Sequence, residues 1–433
     1  MFINVKQWQT VNIIDLDVVK EGLIDEHSLY RNLLTMYYSF VSANNIEPFK
    51  IIYSKNGFCI QTNSYLGVIT SEQLTLYIES MIPNLSLGKI LYLNSQATSN
   101  LLSNTTKKLV TQNINNEEEL SAIDYFIISL VNVIEEVNQN GLIGELQKLN
   151  VESRNLYGEI NLEKQICNSP SFSSFSSSKT DICYDILLNQ VILLAINKAQ
   201  EYTSIKWIIP ILETQKKYFL SVSLIDSIDN QDIPNVDYYS SVKREDYEKA
   251  ILFSKYIING YDPLEGNKYS FFPEFILDMN VVFEYYVTYS LQRLFKNNFF
   301  TKKVYSLGIE PEDNSLKRKY IELDGIYEGE SGSVIIDTKN KYKFVIDKEI
   351  PEFFASNPDI YQQYYYAARV ESDKLILVYP SSKTRSAPLG EYFLNFKNNK
   401  TVKLYLWGLQ ITLTPKENHN ALVKLAKFID SLV

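Results

Sequence analysis

Two aspartates and a lysine in the last third of the chain have the types and spacing that metal-assisted chemistry needs. The segment IELDGIYEGESGSVIIDTKNKYK, residues 321–343, reads as two strands joined by a Gly/Ser turn. Pairing them symmetrically about a turn centred between Glu330 and Ser331 sets Tyr327 against Val334 and Asp324 against Asp337, with both carboxylates on one face. Like charges directly opposite on a ladder are destabilising, so a positive group is expected between them. Side chains alternate along a strand, which puts Lys339 on the face of Asp337, two residues on. Two carboxylates beside an ammonium suit a hard divalent cation and a polarised water, because Mg²⁺ takes oxygen ligands and keeps several waters. The plain alternative is a hairpin with Asp and Lys on an ordinary wet face. Two features favour chemistry. Asp337 alone among the acidic residues has Lys two positions later, and its strand opens with Val334, Ile335 and Ile336, an apolar run typical of a buried strand.

Such a hairpin must be positioned by its neighbours. A helix is expected from about Pro273 to Lys296, with Leu277, Val281, Val287 and Leu291 as an apolar stripe and Glu284 inside it. Burying that carboxylate alone is costly, so Glu284 either sits in an interior salt bridge or faces the metal or lysine of the hairpin. After the hairpin, NPDIYQQYYYAARV reads as a helix with Asn357 as cap and Pro358 in its first turn. Gln362 and Tyr366 fall one turn apart on one face of it. The strands LILVYP and KLYLWGLQITL and a closing amphipathic helix follow. Helix, hairpin, helix, strand, with acids on the first helix and both hairpin strands, outlines an α/β nuclease core. Lys302, Lys303, the run Lys317-Arg318-Lys319, Lys339, Lys341 and Lys343 gather around the hairpin, as either a solvated, charge-balanced surface or a basic ring suited to a phosphate backbone.

The 433 residues, 45% hydrophobic and 21% charged, allow roughly two to four domains. The pattern divides into a β-rich N-terminal domain over 1–115, a mainly helical middle region over 116–265 and an α/β domain over 266–433. Within the middle region, the Ser-rich stretch 169–179 is expected to be a mobile loop. A net charge of -9 argues against coating nucleic acid with the whole surface, but not against a local basic groove. Three cysteines without Cys-x-x-Cys spacing and two histidines, His27 and His419, without ligand spacing speak against a disulfide framework, a zinc site and His-based catalysis. Any reaction must then run on carboxylates, lysine or backbone. No apolar run is long enough to span a bilayer and the opening MFINVKQWQT lacks the features of a secretory signal, so a cytoplasmic protein is expected.

Taken together, these motifs resemble the McrC subunits of McrBC-type restriction systems, whose C-terminal part is a PD-(D/E)xK nuclease. DMNVVFEYYV resembles the family's helix with its Phe-Glu pair, LDGI its Pro-Asp strand, IIDTKNK its Asp-x-Lys strand, and DIYQQYYYA its Asp-x-Tyr-Gln helix. GFCIQTNSYLGVIT, NLYGEINLEKQ and the helix containing Asp185 and Asn189 resemble earlier signatures more loosely. Leu323 departs from the pattern, standing where the name motif has Pro. The resemblance implies that Asp324, Asp337 and the Thr338 carbonyl hold Mg²⁺, with Mn²⁺ as a substitute. It implies that Lys339 orients or helps deprotonate the attacking water. Glu284 would hold the lysine or a metal-bound water, and Gln362 and Tyr366 would support the lysine or touch the DNA backbone. Also implied is a partner, a hexameric McrB-like AAA+ NTPase motor that supplies translocation on double-stranded DNA and recognition. The chain has no G-x-x-x-x-G-K-[ST] loop, so GTP or ATP would bind only through that partner. A non-catalytic adaptor and an autonomous nuclease are the alternatives.

Overall fold

Alternation of apolar residues in FINVK, with Ile3 and Val5 buried between exposed neighbours, lays the first strand against the N-terminal core. The computed structural model describes residues 1–55, 57–71, 74–97, 122–167, 174–203, 205–229, 232–239, 243–258, 275–312, 315–341, 355–381, 386–395 and 401–433. These residues form two compact units, one of Met1–Ala122 with Phe271–Val433 and one of Ile123–Ser270. The stretch 263–273, expected to mark a boundary, and Lys343 lie outside the described residues.

In the first unit, β1 (Phe2–Lys6) pairs in parallel with β6 (Thr75–Glu79). A smaller sheet is built from β2 (Thr10–Asn12), β3 (Phe49–Ser54) and β4 (Gly57–Thr62), and β5 (Tyr65–Thr70) pairs with β6. Helix α1 (Glu26–Asn44) starts where the Asp25 carboxylate accepts the Ser28 N–H at 3.0 Å and stops at Asn45 in the left-handed region. Its Leu29, Leu33, Met36 and Phe40 recur at helical spacing and are buried with Ile3 and Val5.

The second unit carries α2 (Ala122–Asn140), α3 (Leu187–Tyr202) and α4 (Glu245–Ile258). It also holds a three-stranded sheet in the order β7 (Glu145–Ser153), β9 (Phe175–Cys183), β8 (Glu159–Ile160). This corrects one expectation: residues 175–179 of the supposed Ser-rich loop are strand, with Ser176, Ser177 and Ser178 buried; residues 169–173 lie outside the described residues. Serine is small enough to pack, and the ladder with β7, together with the Ser176 N–H donated to the Gln165 side-chain oxygen at 2.6 Å, satisfies the backbone that composition alone would leave to water.

Returning to the first unit, β10 (Phe275–Asp278) pairs with β5 and so extends the N-terminal sheet. Helix α5 therefore begins at Met279, with the Asp278 carboxylate accepting the Asn280 N–H at 2.9 Å. Of the expected stripe, Leu277 belongs to the strand and Val281 is 42% exposed, whereas Val287 and Leu291 are buried beside Val282 and Phe283. A six-stranded sheet then runs in the order β11 (Phe299–Glu312), β12 (Ser315–Gly329), β13 (Gly332–Thr338), β14 (Lys374–Ser381), β16 (Thr401–Gln410), β15 (Gly390–Asn395). Because β13 and β14 are parallel, their connection includes helix α6 (Asn357–Val370). Ser356, not Asn357, caps that helix, accepting the Asp359 N–H. Tyr366 and Ala367 of α6 pack with Ile335, Leu375 and Leu377 on one face of the sheet. On the other face, Phe428 of α7 (Pro415–Leu432) stacks on Trp407 at 5.0 Å. Covered on both sides, β13 is buried from Val334 to Thr338.

Gly325 shows how closely the sheet is packed beside Asp324. A Cβ there would lie 2.5 Å from the ring of Phe299, itself 1% exposed. Gly325→Ala is expected to destabilise the chain by about 1–3 kcal/mol, measured by urea denaturation.

Candidate functional site

The hairpin closes in the expected register. Tyr327 pairs with Val334 and the ladder runs to Gly325 against Ile336, which places Asp324 and Asp337 one step further at the mouth of the hairpin. The Asp324 carboxylate accepts both the Thr338 N–H and the Thr338 hydroxyl at 2.9 Å. Both bonds fall on Oδ2, leaving Oδ1 for another partner. Asp337 is buried, and among the described residues no backbone N–H, hydroxyl or amide donates to its carboxylate. Its one close cation among the described residues is Lys339, whose Nζ stands 2.6 Å from Oδ2 in an ion pair. The positive group expected between the aspartates is therefore Lys339.

Burial, reinforced by the charge of Asp324, pushes the Asp337 carboxyl up to about 7, with Lys339 opposing the rise. Burial works against the Lys339 ammonium, but Asp337, Asp324 and Asp359 outweigh it and hold it above its ordinary value. Lys339 is thus a charged donor here, suited to orienting a water or steadying negative charge rather than to taking a proton.

Glu284 meets a different lysine from the one the resemblance implies. Its carboxylate pairs with Lys302, which also reaches Glu322 at 3.2 Å. Burial and the nearby Asp324 charge raise the Glu284 carboxyl despite Lys302. Of its two readings, a salt bridge forms, half-buried and with Lys302, and Glu284 lies within electrostatic reach of Asp324 as well. Two more lysines of the expected basic ring are likewise engaged: Lys303 pairs with Glu328 and Lys341 with Asp359, so each is neutralised by a carboxylate of the chain. On α6, Gln362 donates to the Tyr366 hydroxyl at 2.6 Å, and that hydroxyl approaches the Glu322 carbonyl at 3.5 Å. Among the described residues, neither is hydrogen-bonded to Lys339, although Tyr366 lies within reach of its charge. Burial raises the Tyr366 hydroxyl, and Asp337 and Asp324 add to the rise, which puts this side chain within electrostatic reach of the aspartates.

Two buried residues escaped the reading of the sequence. Asp359 is 4% exposed and accepts the Lys341 ammonium at 2.6 Å; as an acid in a first helical turn it looks like an ordinary partner of the helix dipole. Gln363 is fully buried with neither amide atom hydrogen-bonded, and no spacing distinguishes it from Gln362 beside it.

Among the described residues, no three His, Cys, Asp or Glu side chains gather as a metal cage. The neighbouring Asp337 carboxylate and the Oδ1 of Asp324, which has no hydrogen bond among the described residues, fit a cation that accepts one or two carboxylates, a backbone carbonyl such as that of Thr338, and water.

The class defined at this point is a two-unit α/β protein with a paired carboxylate and lysine at the mouth of a hairpin in a mixed sheet. The chain belongs to the McrBC family: the model of the McrBC 5-methylcytosine restriction system component matches residues 60–380. The fold is similar to that of a solved structure from Thermococcus gammatolerans, a refined half-complex of McrB AAA+ hexamers with bound McrC from a tetradecameric assembly. That match has a TM-score of 0.52 and 15% identity and covers 100% of both chains. A second structure, the McrBC complex of the same organism by electron cryomicroscopy, matches with a TM-score of 0.36 and 15% identity over 68% of this chain and 88% of that one. No curated protein matches the chain.

Proposed function

We propose that the chain is the Mg²⁺-dependent DNA endonuclease subunit of an McrBC-like anti-phage restriction complex, with a PD-(D/E)xK nuclease domain in its C-terminal part. The observation that carries the reading is Asp337, a buried carboxylate set beside Asp324 whose one partner among the described residues is the Lys339 ammonium at 2.6 Å. Burying a carboxylate beside a second one, with a single ammonium for both, is costly in a protein with no use for it. Asp324, Asp337 and the Thr338 carbonyl would hold Mg²⁺, which would polarise a phosphodiester and an attacking water. Thr338 fixes Asp324 by two hydrogen bonds, so one carboxylate of the pair arrives oriented. Lys339, kept protonated by its acidic neighbours, orients the water and offsets charge developing on the phosphate. Glu284 and Lys302 act behind Asp324 as a charge-balanced support, while Gln362 and Tyr366 line the α6 side.

The family and the fold also support a partner, a hexameric AAA+ NTPase of the McrB kind that binds GTP or ATP and drives the complex along double-stranded DNA. No helix among the described residues is long and apolar enough to cross a membrane, in keeping with a cytoplasmic complex. One observation favours a second reading, a DNA- or motor-binding adaptor that does not cut: Lys302, Lys303 and Lys341 spend their charges on the chain's own carboxylates.

Calorimetric titration of Mn²⁺ with a short duplex present separates the two. Binding by the wild type and none by Asp337→Ala is expected. Absence of binding to either protein would transfer the reading to the adaptor.

A further inference from the structure

Beyond Thr338 the chain turns away from the sheet through a short, heavily fastened stretch. The Lys339 N–H donates to the Val378 carbonyl of β14 at 2.9 Å, and the Lys341 N–H donates back to the Lys339 carbonyl at 2.8 Å. Lys341 then sends its ammonium to the Asp359 carboxylate at 2.6 Å and to the Ser356 hydroxyl at 3.4 Å. The other oxygen of Asp359 accepts the Tyr379 hydroxyl at 3.4 Å. Ser356 closes the set by capping α6 through the Asp359 N–H at 3.4 Å. One buried carboxylate, 4% exposed, thereby ties three elements together: the chain leaving β13, the first turn of α6 and the end of β14.

The stretch so tied carries Lys339 in its first position. That side chain reaches Asp337 at 2.6 Å while its own backbone has already left the β12–β13 ladder, so the hairpin alone does not fix where the ammonium points. Two anchors do: the hydrogen bond to Val378 on one side and the Lys341–Asp359 pair on the other. A charge-assisted pair with its carboxylate buried is stiffer than an exposed one, and breaking it leaves Asp359 with an uncompensated charge.

We propose that Lys341, Asp359 and Tyr379 form a positioning node that sets Lys339 against Asp337. The proposal rests on the nuclease reading only for its consequence in catalysis; the placement of Lys339 can be measured without it. Lys341 and Asp359 are positioning residues, acting through Lys339.

The test uses the full chain as wild type, Lys341→Met, Asp359→Asn and the conservative Lys341→Arg. The first readout is the rate at which an amine-reactive ester labels Lys339, followed by mass spectrometry of the fragmented peptide with Lys50 as a remote reference. Labelling of Lys339 is expected to rise about tenfold in Lys341→Met and Asp359→Asn and to return close to wild type in Lys341→Arg, while Lys50 stays unchanged. Lys341 is partly exposed, so Lys341→Met serves if Asp359→Asn fails to fold. Unchanged labelling of Lys339 in Lys341→Met would overturn the node. The second readout is cleavage by the assembled complex, where the node predicts kcat lowered about 10- to 100-fold with KM little changed. A wild type that binds no metal and cuts no DNA would instead defeat the nuclease reading, and labelling would still decide the node.

Discussion

Replacing Asp337 by Ala is expected to abolish divalent-cation binding and to lower DNA cleavage by at least about a thousandfold, while the chain still folds and still assembles with its AAA+ partner. A thousandfold is about 4 kcal/mol of transition-state stabilisation, the range expected when charge stabilisation by a cation is removed. Folding survives because the Asp337 side chain engages only the Lys339 ammonium among the described residues, and its strand is held by its ladders with β12 and β14. The contrast with Lys339→Met sharpens the expectation. Removing the ammonium takes away the group that orients the water but leaves both carboxylates, so Mn²⁺ binding should persist while cleavage falls. Cleavage that survives Asp337→Ala would remove Asp337 from the site, and equal metal affinity in the wild type and Asp337→Ala would do the same. Loss of metal binding in Lys339→Met would recast the lysine as part of the cation's cradle.

The hairpin was legible because its information is local. A Gly/Ser turn fixes register, period-2 alternation fixes faces, and from these alone Tyr327 meets Val334 and Lys339 meets Asp337. Glu284 illustrates the opposite case. Its burial followed from the helical pattern, but its partner Lys302 belongs to another strand, and either lysine would have satisfied the same chemistry. For Lys302, Lys303 and Lys341 the charge-balanced alternative is the one seen, since a count of lysines says nothing about carboxylates folded against them; Glu322, Glu328 and Asp359 come from the next strand or helix rather than from the lysines' own elements. The start of α5 was placed too early because Leu277 continues an apolar run, and only pairing with β5 makes that run a strand. The serines of β9 were read by composition, and composition cannot register a ladder. Gln363 is the deepest omission: nothing but the phase of α6 against the sheet separates it from Gln362.

The second large effect concerns pH and metal together. In metal-free protein the Asp337 carboxyl is pushed up to about 7 from an ordinary 3.8, chiefly by burial. The folded chain therefore holds a proton there that the unfolded chain has released, across the window from about pH 4 to 7. Stability from this group is fully present below the lower value and is lost as pH rises to the upper one, an upper bound of about 4 kcal/mol. In EDTA, the wild type is expected to lose thermal stability between pH 5 and 8, and Asp337→Asn, which has no carboxyl to ionise, should lose less and be the more stable protein at pH 8. A divalent cation acts in the opposite sense. It binds the ionised pair, so at about a hundred times its dissociation constant it should restore about 2.7 kcal/mol to the wild type at pH 8 and little at pH 5, where protons compete for the same oxygens. Asp337→Asn should gain little at either pH. Thermal unfolding at four conditions, two pH values with and without Mn²⁺, reads all of this at once. A wild type whose melting temperature responds to Mn²⁺ equally at pH 5 and pH 8 would mean that the cation does not bind through Asp337. A wild type and an Asp337→Asn variant with parallel pH profiles in EDTA would mean that Lys339 already neutralises the buried carboxylate in full, and the strain that makes this site receptive to a cation would be absent.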